Sequence, residues 1–133
     1  MIYEPKVVKV ENNFAANRSV TVDEVIFNRD CLNIFLSSDT WELQVHFDAI
    51  YGFRVLDESD LCEFWDQCNL TTGWCFEVLT GGWNSLEKTR DHFLTGKISE
   101  PREFLIIGQN ECVSVLPFEQ PEVIETTSSN KPM

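Results

Sequence analysis

Eight consecutive residues, Trp41-Glu42-Leu43-Gln44-Val45-His46-Phe47-Asp48, alternate apolar and polar without interruption. A period of two is the signature of a β-strand with one face in a core and the other in water. Trp41, Leu43, Val45 and Phe47 take the core side, and Glu42, Gln44, His46 and Asp48 take the wet side. Such a strand is stable only among neighbours, and the sequence supplies them on both sides. Val20 to Phe27 and Cys31 to Leu36 read as strands joined at Asn28-Arg29-Asp30, and Ser37-Ser38-Asp39-Thr40 turns the chain into the Trp41 strand. A three-strand meander follows from this spacing, with Ile50 to Leu56 as a fourth strand and Lys6 to Val10 as an opening one.

The period then changes to 3.6. Leu61, Phe64, Trp65 and Cys68 fall at i, i+3, i+4 and i+7, which predicts a short amphipathic helix over Asp57 to Cys68. Asp57 can cap it, and Glu58 and Asp60 suit the positive end of its dipole. Glu63 and Asp66 fall opposite the apolar stripe and Asp60 on its flank, so these carboxylates should reach solvent. After Thr71-Thr72-Gly73, Trp74 to Leu79 reads as a strand ended by Gly81-Gly82. A second helix is expected from Asn84 or Ser85, with Glu87 placed as in a capping box, ending before Gly96 and held to the sheet by Leu86, Phe93 and Leu94. Glu103 to Ile107 and Cys112 to Leu116 form a hairpin through Gly108-Gln109-Asn110, and Glu122-Val123-Ile124 can add an edge strand after Pro117 and Pro121. The expected fold is α+β: a mainly antiparallel sheet, a meander or half-barrel of about seven or eight strands, with two short helices packed on it. Residues 1–125 make one domain, and residues 126–133 have the composition of a mobile tail.

A chain of 133 residues, 43% hydrophobic and 12% aromatic, can bury a core of its own. No apolar run is long enough to span a membrane, and Met1-Ile2-Tyr3-Glu4-Pro5-Lys6 lacks the pattern of a signal peptide. A cytoplasmic protein that does not enter membranes is expected. The five cysteines, Cys31, Cys62, Cys68, Cys75 and Cys112, form no Cys-x-x-Cys pair, and with His46 they match no familiar zinc spacing. Reduced, mostly buried thiols with no bound metal and no cofactor are the expectation.

Charge is distributed unevenly. Residues 30–87 hold eleven of the 22 acids and one base, Arg54, for a net charge of −10 out of −12. A one-sign field of this kind costs stability by self-repulsion and serves to attract a basic partner. It opposes phosphate binding, so no nucleic-acid partner is expected. It also opposes a thiolate nucleophile, which needs an electropositive setting. Asp57, Glu58 and Asp60 could be paired catalytic carboxylates, but capping and dipole physics is the better account of them. His46 on a polar strand face and His92 beside Asp91 read as solvated, and Ser59, Ser85 and Ser114 lack the Gly-x-Ser-x-Gly context. Gly81-Gly82-Trp83 reads either as a ligand lip or as a strand end that turns its aromatic inward. Trp65 and Trp74 are core by periodicity, leaving Trp83 and Tyr51 as the aromatics to test at an interface.

The stretches Gly52-Phe53-Arg54-Val55-Leu56-Asp57-Glu58-Ser59-Asp60-Leu61, Gly81-Gly82-Trp83 and Asn110-Glu111-Cys112-Val113-Ser114-Val115-Leu116 resemble the small acidic immunity-type proteins of bacterial toxin/immunity systems, contact-dependent or polymorphic. The likeness extends over residues 1 to 125 in general character, and no functional residue carries over by motif. It implies a small α+β or β-rich cytosolic inhibitor whose partner is a toxin.

The residues and the resemblance together lead to one expectation: a non-enzymatic acidic protein that neutralises a basic protein partner, a toxin such as a nuclease, by covering its active-site region. Asp57, Glu58, Asp60, Glu63 and Asp66 are the expected charged contacts, with Trp83 as an aromatic anchor, on a monomer or weak dimer. Two alternatives stand beside it, a carboxylate-based hydrolase, with or without a divalent metal, and a structural or housekeeping interaction subunit.

Overall fold

The computed structural model describes residues 4–126. In chain order they form β1 (Lys6–Lys9), β2 (Thr21–Asn28), β3 (Cys31–Ser37), β4 (Glu42–Phe47), β5 (Ile50–Asp57), a 3₁₀ helix (Glu58–Phe64), β6 (Cys75–Thr80), α1 (Trp83–Glu87), α2 (Leu94–Ile98), β7 (Phe104–Ile107), β8 (Glu111–Pro117) and β9 (Glu122–Glu125). The α+β, mainly antiparallel class is borne out, with nine strands among the described residues, slightly more than expected. They divide into a five-stranded sheet ordered β1-β6-β7-β8-β5 and a four-stranded sheet ordered β2-β3-β4-β9. All pairings are antiparallel.

The alternating strand sits as its pattern requires. Leu43, Val45 and Phe47 of β4 are buried beside Leu32, Ile34 and Leu36 of β3. Across the interior they meet Cys75, Phe104, Ile106, Val113 and Val115 of the five-stranded sheet. Each of these large aliphatic or aromatic side chains gains roughly 1.5–3 kcal/mol by leaving water. Trp41 and Trp74 stack 5.8 Å apart at one end of this core. Their indole N–H groups donate to the Ala15 and Phe14 carbonyls at 2.8 and 2.9 Å, so the β1–β2 connection is fastened over the core by two satisfied buried donors.

The meander β2-β3-β4 is present, and its first turn has Arg29 and Asp30 both at positive φ (53° and 69°), the conformation of a tight two-residue hairpin loop. The fourth strand leaves it. β5 passes through a bulge between Ile50 and Gly52 and pairs with β8 in the other sheet. The reason lies in β7 and β8, which are buried on both faces. Their inner residues meet the four-stranded sheet. Their outer residues Leu105, Ile107 and Cys112, with Phe76 and Val78 of β6, form a second apolar surface covered by Leu61, Phe64 and Cys68 from the 3₁₀ segment.

Both predicted helices are shorter than their periodicity suggested, and the first is also tighter. Over Asp57 to Cys68 the chain is 3₁₀ only through Phe64, with a kink at Leu61 (φ −124°, ψ 31°). The apolar stripe still points inward and Asp57 still caps. The second helix is split into α1 and α2, each of five residues. Leu86 and Leu94, expected to hold it to the sheet, are 61% and 62% exposed. Neither piece is long enough to present a stripe, and Gly96 lies inside α2, where a Cβ would come within 2.6 Å of the Phe93 ring. The expected tail, 126–133, lies outside the described residues except for Thr126, whose N–H donates to the Glu42 carbonyl at 2.8 Å.

Candidate functional site

The 3₁₀ segment presents its charge by the same geometry that buries its apolar residues. Leu61 and Phe64 are inserted in the outer core, so Asp57, Glu58 and Asp60 before them, Glu63 between them and Asp66 after them all point to solvent. Glu58 N–H donates to the Asn110 carbonyl at 2.9 Å and the Trp65 indole N–H to the Glu58 carbonyl at 2.9 Å, which ties the segment to the β7–β8 turn and to itself. The Asp57 carboxylate accepts from the Ser59 N–H (2.9 Å) and hydroxyl (2.7 Å), and these bonds hold it below the ordinary carboxylate range. A catalytic acid would need the opposite shift.

None of the five acids is within ion-pair distance of a base among the described residues. The ion pairs there are Lys88–Glu100, Arg90–Glu87, Arg102–Glu77 and His46–Asp48. Further acids adjoin the segment. Glu111 of β8 stands opposite Asp57. Glu4 accepts from Gln67 Nε2 at 3.1 Å. Asp23 and Glu24 of β2 share an open groove with Glu111. Sequence reasoning missed Glu4, Asp23, Glu24 and Glu111, because only strand pairing and tertiary contact bring them to the 3₁₀ segment.

Arg54, the lone base of the central region, is set back rather than displayed. It projects from the outer face of β5 with its guanidinium 5.0 Å from the centroid of Trp83. Burial lowers its pKa, opposed by the negative charges of Glu103, Glu63 and Glu87. Trp83 is half-buried, lying over Gly52, where a Cβ would already touch the indole at 3.5 Å. The inward reading of Gly81-Gly82-Trp83 therefore describes the geometry, although part of the ring is accessible. Tyr51 is half-buried against Phe118, with ring centroids 4.0 Å apart.

Glu103 supports this corner and was not singled out from the sequence. Its carboxylate is 2% exposed and accepts the N–H groups of Trp83 (3.0 Å) and Asn84 (2.8 Å), capping α1 from a distant segment because Gly82 has no side chain to do so. Burial raises its pKa, while the two N–H groups and Arg54 lower it in part. The available signal was its parity with Leu105 and Ile107 in one strand pattern.

All five cysteines are free. Burial raises the thiol of Cys68 to about 11 and, with weaker contributions from nearby acids, that of Cys112 to about 12, and it raises Cys75 as well. Those three are core thiols. Cys31 differs, since its sulfur lies with donor atoms of His46 and Asp48, all within 4.8 Å of one another. This is the set of side chains able to hold a metal ion among the described residues.

Comparison with known proteins found no family model that matches the chain, and no similar curated protein or solved structure. Among the described residues no helix is long and apolar enough to cross a membrane.

Proposed function

We propose that this protein is a non-enzymatic acidic inhibitor, an immunity protein that covers the basic active-site region of a toxin, with nucleases as the toxin class whose bound phosphates the anionic segment would imitate. One observation carries the reading: Asp57, Glu58, Asp60, Glu63 and Asp66 are exposed together on one short segment, and none of them forms an ion pair among the described residues. Internal ion pairs would have spent their charge within the molecule. Left unpaired, they cost stability at neutral pH and keep a field that speeds encounter with a basic surface. The partly accessible Trp83 sits on Arg54, which Glu63 also faces electrostatically, so an aromatic contact can border the charged one.

The hydrolase alternative gains little from this geometry. Of the five acids only Glu58 lines the neighbouring cleft, beside Trp65, Asn69, Leu70, Ile107, Gly108 and Gln109. A pair of catalytic carboxylates would converge on one space.

The test is a pull-down with the product of the adjacent reading frame, followed by an assay of that product's toxic activity with and without this protein. Inhibition is expected, with an association rate that falls steeply between about 50 and about 500 mM salt. An association rate indifferent to salt, or a bound partner whose activity is unchanged, would overturn the proposal.

A further inference from the structure

Cys31, His46 and Asp48 meet on the outer face of the four-stranded sheet, whereas the 3₁₀ segment packs on the outer face of the five-stranded one. β3 and β4 bring them together: Asn33 pairs with His46 and Leu32 with Phe47, which leaves Cys31 and Asp48 flanking the end of the ladder. Cys31 Sγ is 3.1 Å from the Asp48 carbonyl oxygen. His46 Nε2 is 2.7 Å from Asp48 Oδ1.

The tautomer of His46 follows from its other nitrogen. Asn33 Oδ1 accepts from Gln44 Nε2 at 2.7 Å and lies 2.7 Å from His46 Nδ1. An amide oxygen can only accept, so Nδ1 carries the proton and donates it. Nε2, which faces the Asp48 carboxylate, can then either carry a second proton, making the imidazolium–carboxylate ion pair, or give its lone pair to a metal cation that the carboxylate also binds. A histidine whose remote N–H is fixed by a polar partner, with its free nitrogen aimed at a carboxylate and a thiol, is the arrangement found at metal ligands.

We propose that Cys31, His46 and Asp48 form a binding site for a borderline-soft divalent transition metal of the zinc class. Thiolate, imidazole and carboxylate together suit Zn²⁺ or Co²⁺ and not Mg²⁺ or Ca²⁺. Tetrahedral zinc places such donors about 3.3 to 3.6 Å apart, given its bond lengths of about 2.0–2.3 Å. Binding therefore spreads the 2.7 Å Nε2–Oδ1 contact by roughly 0.6 Å or more, and Asp48, 80% exposed, moves without disturbing packing. The Cys31 thiol proton passes to solvent as its sulfur binds. The fourth position faces a 350 Å³ cleft lined by His46, Asp48, Glu119 and Glu122 among others, where water completes the tetrahedron. Glu122 lies directly across from His46 on β9, so the cleft itself favours a cation.

The full-length protein, reduced and stripped with a chelator, is titrated with Co²⁺ as a spectroscopic probe and then with Zn²⁺. One equivalent of Co²⁺ is expected to produce thiolate-to-metal charge-transfer absorption in the near ultraviolet, which Zn²⁺ abolishes. Cys31→Ser and His46→Gln should lose the band, whereas Cys62→Ser, which alters the other accessible cysteine, should keep it. Asn33→Ala should weaken affinity by about 10- to 100-fold through loss of the ring's orientation. Absence of the band in the wild-type protein overturns the proposal, as does its survival in a Cys31→Ser protein whose circular dichroism matches wild type.

Discussion

Asp57 and Glu111 stand directly opposite each other where the β5–β8 ladder ends, two carboxylates with no base paired to either among the described residues. Like charges in cross-strand register repel, so this pair works against the fold. Glu111→Lys would replace repulsion with attraction and raise the urea midpoint. It would also remove two units of charge from the surface assigned to partner binding. If full steering is worth about ten- to a thousandfold in rate and is shared over the nine acids gathered there, association with a basic partner should slow by about two- to fivefold. Stopped-flow mixing and denaturant titration of the same variant check both signs.

Phe64 is the anchor that turns the acidic segment outward. Phe64→Ala should cost about 3–5 kcal/mol, since it empties a fully enclosed site between the 3₁₀ helix and the outer face of the sheet. Partner affinity should fall with it, although every acid is retained. Glu63→Gln next to it makes no packing contact with the core and should change stability little while slowing association. Equilibrium unfolding of the two variants separates display of the charge from the charge itself.

Strand positions were legible in this sequence because period two and turn residues are local signals. Asn28-Arg29-Asp30 and Gly108-Gln109-Asn110 mark hairpins wherever the strands finally go. The division into two sheets was not legible, because it depends on β7 and β8 being apolar on both faces, and a short run such as Phe104-Leu105-Ile106-Ile107 has no alternation to say which neighbour it meets. The five acids of the 3₁₀ segment could be named because they are adjacent in sequence. Glu111 and Glu4 could not, since pairing and contact across the chain bring them there, and Cys31 and His46 meet only through the register of β3 on β4. The second helix misled for a different reason. Its capping group is the carboxylate of Glu103, nearly twenty residues further on, and no nearby residue announces it.

Gly81 has φ +77°, and a Cβ there would lie 2.8 Å from the Glu4 carbonyl oxygen and the Pro5 Cα. Gly81→Ala should cost at least the roughly 1–2 kcal/mol of placing an L-residue in the left-handed region. The collision falls on the backbone leading into β1, so the loss should be local. Hydrogen exchange should quicken at the β1 amides paired with β6, while the β3 and β4 amides keep their protection.

Glu103 supplies a pH dependence whose sign is fixed by its environment. Burial raises its pKa above the ordinary 4.5, so over the interval between the two values the folded protein holds a proton that the unfolded chain has released. Stability from that protonation is present below the ordinary value and is lost as pH rises through the raised one. Glu103→Gln abolishes the titration. It also replaces one of the two oxygens that receive the Trp83 and Asn84 N–H groups with an amide NH₂, which cannot accept, so the variant should be the less stable protein. Its deficit relative to wild type should be largest in acid and shrink as pH rises through the raised pKa, because wild type alone loses stability there. Urea midpoints of both proteins between about pH 4 and about pH 8 decide the matter. A deficit that stays constant, or grows toward high pH, would mean that Glu103 titrates as an ordinary carboxylate, or below one, and that its two backbone bonds outweigh its burial.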